Sequence, residues 1–459
     1  AISVLMYQGL MYEDPSGTPA PLLAESMTVA PDGRTYTFHL RHNVKFHDGR
    51  PMTAADVKYS YDYIRDPRNG SPGAGDFRDI AGIDTPDDFT VVFHLSHPNA
   101  SLPMTLGNKY GAVVPKDYFA TPGASARMNQ RDVGTGPFRL VGFQPNSFLK
   151  LERFRDYWEP NTPYLDQVTF LFLPNSASLL VALQNGRVGM TLVSRPDDIA
   201  SLKDKPGITV KTWPSLVQKS LDLDCAQPPL NDVRVRQAIA LAIDKKAVLQ
   251  AAYQGYGQVL GTIVGGMQAN WGLPLAQNPF QTPDPAKARA LLREAGHPDG
   301  VSLDLTTIIG YDWMDPAAVT IADELHAVGI NVAIKKVDLG VWINNFRTHH
   351  MGFTFNDWGT SPDPNLLFYR HFHQRPEGGD FRNWNNAAAS RLLDAGKAAT
   401  DPAERRKLYE QFQAALAESV PTIMLFGPDL IVATGKGVEN YTQHPTGWYF
   451  GVVRAYLQQ

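Results

Sequence analysis

Several side chains in this 459-residue chain stand where they could hold a solute. Tyr311-Asp312-Trp313 follows an apolar stretch from Val301 that reads as a strand, and it precedes a stretch with helical periodicity. In an α/β sheet, loops at the carboxyl ends of strands are where ligands sit. Trp313 there either meets a ligand or packs under its own loop. Trp271 lies in a loop rich in Gly, Asn and Pro, Gly265 to Pro274. It is either a lid on a binding cleft or a plug on a core. His349-His350 and His371-x-His373 invite a metal reading. Adjacent histidines point to different sides of a helix or a strand. His371 and His373 could share one strand face, but no Cys, Asp or Glu stands at a helpful spacing. Neither a metal nor another cofactor is expected.

Motifs for bond chemistry are missing. The chain has no His-Glu-x-x-His, no Gly-x-Ser-x-Gly and no phosphate-binding Gly-x-x-x-x-Gly-Lys. Gly134-x-Gly136 lacks a third glycine and runs into Pro137, so a dinucleotide fingerprint is a poor fit. The expectation is a protein that is not an enzyme, with hydrolysis of a small amide as a remote alternative. The 42 basic and 46 acidic residues nearly cancel, which disfavours a nucleic-acid partner. No apolar run reaches the roughly 18 residues of a membrane-spanning helix. The single cysteine, Cys225, cannot form an intrachain disulfide and reads as a small buried apolar side chain.

The elements that would position these residues follow from periodicity. A chain of this length is too long for one core and implies two or three domains. Asp32-Gly33 is a tight turn between two strands, and Tyr36 to Arg41 alternates apolar and polar residues as a half-buried strand does. Thr53 with Asp56 three residues on is a capping box for a helix from Val57 to Ile64. Strands are expected at Phe89–Leu95, Pro137–Phe143, Phe148–Arg153 and Val168–Leu173. Ser176 to Asn185 reads as a helix closed by Gly186. Ala1 to Leu10 looks like a packed helix. From about residue 220 strands alternate with helices. Asn231-Asp232 caps one helix, with Val235, Ile239 and Ile243 on its apolar face and Asp244-Lys245-Lys246 solvating its far end. Asp284-Pro285 opens another, and Pro316 to Val328 is a third. Asp401 caps a helix that reaches Glu418. This alternation indicates an α/β lobe after a β-rich first part.

The wording of these elements resembles the family 5 extracellular solute-binding proteins, the peptide, dipeptide and nickel receptors of ABC importers. The likeness runs in order along nearly the whole chain. It takes in Ala24 to Val57, Gly134-Thr-Gly-Pro-Phe138, Asn231 to Ala238 with Ala242 to Lys246, Pro285 to Gly296, Ala322 to Ile330, and Trp358 to Pro364. The resemblance implies an α/β, two-lobed periplasmic-binding-protein fold of the type II, Venus-flytrap kind, with an extra β-rich subdomain in the first lobe. It implies a first lobe over residues 1–222 with the accessory part at about 25–155, a second lobe over 223–429, and a return to the first lobe over 430–459. It also implies a cleaved signal peptide upstream of Ala1, a periplasmic location (or a lipid anchor outside a Gram-positive cell), membrane ABC permease subunits as partners, and a monomer.

For the site, the resemblance puts Trp358 against the ligand. It expects an Asp three residues later for a peptide's α-ammonium, where this chain has Ser361. Asp363 either supplies that charge from a shifted loop or caps the helix Pro364–His371, in which case the ligand lacks a free amine at that point. Tyr311, Asp312 and Trp313 fall near the family's carboxylate contacts, without the Arg common in peptide binders. Asn108-Lys109-Tyr110 is expected to face the cleft from the first lobe, with Lys109 either solvated or on a ligand carboxylate. The implied function is capture of a peptide or peptide-like solute for import. The alternative keeps the fold and changes the ligand to a sugar, an opine or another amine-poor solute.

Overall fold

Gly33, at φ +65°, closes a tight hairpin, in a conformation an L side chain rarely adopts. The hairpin joins β1 (Ala24–Val29) to β2 (Thr35–Leu40). Every second residue of β2 is buried, Tyr36, Phe38 and Leu40, as its alternation predicts. Helix α1 (Ala54–Arg65) opens where the sequence places it. Asp56 Oδ2 accepts from the Thr53 N–H at 2.8 Å and its hydroxyl at 3.0 Å. With β3 (Ile80–Asp87) and β4 (Thr90–Leu95) the sheet runs β1-β2-β4-β3, antiparallel throughout. Val57 and Tyr61 of α1 join Phe38, Phe77 and Phe93 of this layer in one core. Each such side chain contributes about 1.5–3 kcal/mol by leaving water.

This computed structural model describes residues 1–118, 133–193, 195–203, 205–262, 271–359, 361–374 and 380–458. The chain divides into two compact units. Unit one holds Ala1–Trp213, Lys397–Thr400 and Leu430–Gln459; unit two holds Pro214–Gly396 and Asp401–Asp429. Among the described residues no helix is long and apolar enough to cross a membrane.

Unit one continues with β5 (Phe138–Gln144), β6 (Phe148–Arg153) and β7 (Gln167–Leu171), a three-stranded antiparallel sheet, and with β8 (Met190–Val193). Its amino terminus departs from expectation. Ala1 to Leu10 carries only a 3-10 turn at Ser3–Leu5. The carbonyls a helix would need are taken elsewhere: Met6 O accepts from Gly136 N at 2.9 Å and Gln8 O from Val113 N at 2.8 Å. Gly134 and Gly136 lie so close to this strand of backbone that a Cβ on either would meet the carbonyl oxygen of Met6 or Leu5. The Gly134-Thr-Gly136 spacing is thus a packing requirement.

In unit two, β9 (Gln218–Leu223) is followed by α2 (Val233–Ala242) and α3 (Lys245–Tyr253). Here the expected solvated end of α2 is wrong. The backbone turns extended at Ile243, and Asp244 caps α3 by accepting from Lys246 N at 2.9 Å. Lys245 is buried, donating to Leu260 O at 2.9 Å. Next come α4 (Pro285–Glu294), β10 (Val301–Ile308), α5 (Met314–His326), β11 (Ile330–Val337), α6 (Leu339–Arg347), β12 (Phe353–Trp358), α7 (Pro402–Ser419) and β13 (Thr422–Thr434). β10 pairs in parallel with β11 and β12, and β9 runs antiparallel to β12 and to β13. The core between α2, α5 and this sheet includes Leu221, Ile239, Leu305, Ile321, Phe355 and Phe426. β13 serves both units: Thr422 to Phe426 pair with β9, and Ile431 to Thr434 with β8.

Candidate ligand site

The candidate residues are divided between the two units. In unit one a cavity of about 440 Å3 is walled by Tyr7, Tyr12, Tyr63, Tyr110, Trp448 and Phe450, with Asn108 and Lys109 on its wall. Its size falls in the range of about 300–1,000 Å3 typical of small-molecule pockets, which are mostly apolar with a few placed polar groups. The 108–110 turn is built by Asn108, whose Oδ1 accepts from Tyr110 N at 2.8 Å and Gly111 N at 3.2 Å. Such self-bonding is what suits Asn to turns. Lys109 Nζ lies 4.8 Å from the centre of the Tyr110 ring. Tyr110 in turn packs on Gly73, where any Cβ would clash with it. An adjoining cavity of about 650 Å3 shares Gln8, Tyr12 and Phe450. Gln8 is locked between them, donating to the Tyr157 hydroxyl at 2.9 Å and accepting from Trp158 Nε1 at 3.0 Å. The sequence reading named 108–110 but not Tyr7, Gln8, Tyr12, Tyr63, Trp448 or Phe450. These come from three distant stretches of chain, and no local spacing joins them.

In unit two, Tyr311, Asp312 and Trp313 do follow the carboxyl end of β10. Asp312 is exposed, Tyr311 half-buried and Trp313 buried. Trp313 packs edge-on against Phe355 at 5.2 Å and Phe426 at 5.9 Å, so most of this side chain belongs to the core. One face of it carries Lys219, whose Nζ is 4.7 Å from the ring. Burial holds the Lys219 ammonium below its usual pKa, against the pull of Asp357, which accepts from it at 2.8 Å. Lys219 and Asp357 are register partners on β9 and β12.

The 358–363 segment separates into different roles. Trp358 ends β12 opposite Gln218, and its side chain lies outside the described residues. Ser361 is half-buried, with its hydroxyl accepting from Asp363 N at 3.3 Å. Asp363 is buried and its carboxylate is engaged: it caps the following turn through Asn365 N at 2.8 Å, and Arg405 Nη2 stands 3.0 Å from both its oxygens. The cap is one of the two roles open to Asp363. The helix it opens begins as a π turn, Asn365–Tyr369, before Arg370–Phe372, where an α-helix was expected. Trp271 sits on a core: its ring meets Tyr409 edge-on at 6.1 Å and Arg405 at 5.1 Å, and its carbonyl accepts from Gln413 Nε2 at 2.7 Å. The rest of its Gly/Asn loop, 263–270, lies outside the described residues.

His373 pairs with Asp394 at 3.1 Å and stacks on Tyr369, while His349 contacts the Asp380 carbonyl. Among the described residues no group of three or more metal-ligating side chains gathers. Cys225 is half-buried, and burial pushes its thiol up to about 12.

The model of the bacterial extracellular solute-binding proteins, family 5, matches residues 18–379. The chain belongs to this family. The dipeptide-binding protein of Escherichia coli K12 is 29% identical over 97% of this chain and 88% of its own length. Among solved structures, the periplasmic binding protein AgaA from A. tumefaciens R10, in complex with agropinic acid, is 28% identical with a TM-score of 0.83, covering 100% of this chain and 94% of that one. DppA from Helicobacter pylori, in complex with the peptide STSA, is 26% identical with a TM-score of 0.82, covering 99% and 93%. The fold of this family 5 member is therefore the mixed α/β periplasmic-binding-protein fold, as the ordered motifs lead one to expect. Family membership also makes it a solute-binding protein of the transport class.

Proposed function

We propose that this protein captures a peptide or peptide-like solute and delivers it to the membrane subunits of an ABC importer, with no bond made or broken. The observation that carries the reading is the aromatic cavity of unit one, with Asn108 and Lys109 on its wall, in a chain of the solute-binding family. Aromatic walls with few polar groups suit a zwitterion with apolar side chains, since the polar groups fix orientation while the walls exclude water. Relatives named as di- and tripeptide binders, at 28–29% identity, support the ligand class. We assign the lobes to residues 1–222 with 430–459 and to 223–429. We further propose hinge closure on the solute, a monomeric state, and a periplasmic or lipid-anchored location. The ligand residues of the proposal are Asn108, Lys109 and Tyr110 with Tyr311, Asp312, Trp358 and Ser361.

The complex of AgaA with agropinic acid favours a second reading, an amine-poor solute on the same fold. A thermal-shift screen separates the two. Protein freed of bound solute is melted with a panel of di-, tri- and longer peptides and with agropinic acid. Peptide capture predicts a rise in Tm with peptides. A rise with agropinic acid alone supports the second reading.

A further inference from the structure

Two carboxylates flank Trp358, Asp357 within β12 and Asp363 in the segment after it, and they differ in what they have left to offer. Asp363 is 7% exposed, and both of its oxygens face Arg405. A ligand cation could reach it only by displacing a buried guanidinium, which would leave that charge uncompensated. Asp357 is 32% exposed. Its Oδ2 accepts from Lys219, and among the described residues Oδ1 has no hydrogen-bond donor. The Lys219 side chain is only 6% exposed and lies beneath this carboxylate, over the Trp313 ring and 6.0 Å from the centre of the Tyr253 ring. A solute arriving at this end of the sheet meets Asp357 before it meets Lys219.

The surroundings fit a cation. Asp357 is the penultimate residue of β12, one before Trp358, on the strand that pairs in parallel with β10, whose carboxyl end leads into Tyr311. Burial and the Asp357 charge together push the Tyr253 hydroxyl up, which places that phenol within the field of this carboxylate. A carboxylate with one oxygen pinned and the other open is pre-oriented, so little is lost in aiming it at an ammonium. Lys219 offsets part of the charge, so the open oxygen is an acceptor that costs little to carry when the site is empty.

We infer that Asp357, held in place by Lys219, is the carboxylate that receives the cationic group of the solute, a primary ammonium, in place of Ser361 and Asp363. This rests on the peptide-capture reading above and names the group that reads the amine. Lys219 acts as a positioning residue.

The test is calorimetric titration of solute-free protein with a dipeptide and with the same dipeptide N-acetylated. Wild type binds the free amine in preference to the acetylated form. Lys219→Met, which frees Asp357 from its anchor, weakens that preference without abolishing it. The double variant Lys219→Met/Asp357→Asn loses it, with the affinity for the free amine falling by about tenfold or more. The double variant removes the pair without leaving a buried ammonium alone, so folding is preserved. A double variant that retains the wild-type preference overturns the assignment while peptide capture stands. So does an equal loss of both ligands. Wild-type protein that binds both peptides without preference also contradicts Asp357, and wild type that binds neither contradicts the peptide reading and Asp357 with it.

Discussion

Arg405 on α7 grips Asp363 with Nη2 3.0 Å from both carboxylate oxygens, and both side chains are buried. The pair fastens the segment after β12 to α7, while the same carboxylate caps the turn at Asn365. Removing one partner strands a buried charge. Arg405→Met therefore lowers the stability of the fold by about 3–5 kcal/mol, measured by urea unfolding. The double variant Arg405→Met/Asp363→Asn recovers most of that loss, and its solute affinity stays at the wild-type level. A large affinity loss in a folded double variant would make Asp363 a ligand residue after all.

Lys245 titrates in the fold. Burial alone lowers its ammonium from the ordinary 10.5 to about 7. A cation depressed in this way contributes stability that is whole above the unfolded value and is lost as pH falls toward 7. Lys245→Met removes that slope, because the side chain no longer takes up a proton on unfolding. At pH 7 the variant should be more stable by about 1–4 kcal/mol, and the difference should vanish near pH 10.5. Denaturant curves at pH 7 and 10 read both.

Glu13 in unit one has the opposite sign. Burial, with the charge of Asp14 adding to it, raises its carboxyl from 4.5 to about 9, and among the described residues Oε1 has no hydrogen-bond partner. A carboxyl raised in the folded state leaves stability whole below the unfolded value and eroded as pH climbs toward 9. Glu13→Gln should be close to neutral at pH 4.5 and stabilising by up to about 5 kcal/mol at pH 8. Thermal melts of both proteins across this range show the divergence or its absence.

The cavity of unit one gives a prediction about affinity. Phe450 lines both adjoining spaces and Tyr110 closes one of them. Tyr110→Ala and Phe450→Ala should each weaken solute binding by about 1–3 kcal/mol, the worth of an aromatic wall. Phe450→Leu should recover part of the loss. Affinities equal to wild type in both alanine variants would move the ligand away from this cavity.

Much of the fold was legible because it rests on local chemistry. Asp32-Gly33, the Thr53–Asp56 capping box, Asp284-Pro285 and Asp401 set their elements with short-range bonds that the sequence spells out. The failures share a cause. Ala1 to Leu10 has helical composition, yet its carbonyls are claimed by Gly136 and Val113, far along the chain. Asp244-Lys245-Lys246 has the look of a solvated run, but the turn at Ile243 drives Lys245 inward. The candidate site was legible only in part. Asn108 to Tyr110 and Tyr311 to Trp313 stand out locally, whereas Lys219 and Asp357 meet only through strand register, across 138 residues. Trp271 illustrates the reverse error of scale: a tryptophan in a glycine-rich loop looks like a lid, and its neighbours Tyr409 and Gln413 make it a plug.

The central claim is capture of a peptide solute, and calorimetric titration of solute-free protein with a di- and tripeptide panel tests it most directly. The account predicts saturable, single-site heat with at least one peptide in the panel. No heat with any peptide, from protein that still folds and still binds agropinic acid or another amine-poor solute, would contradict it.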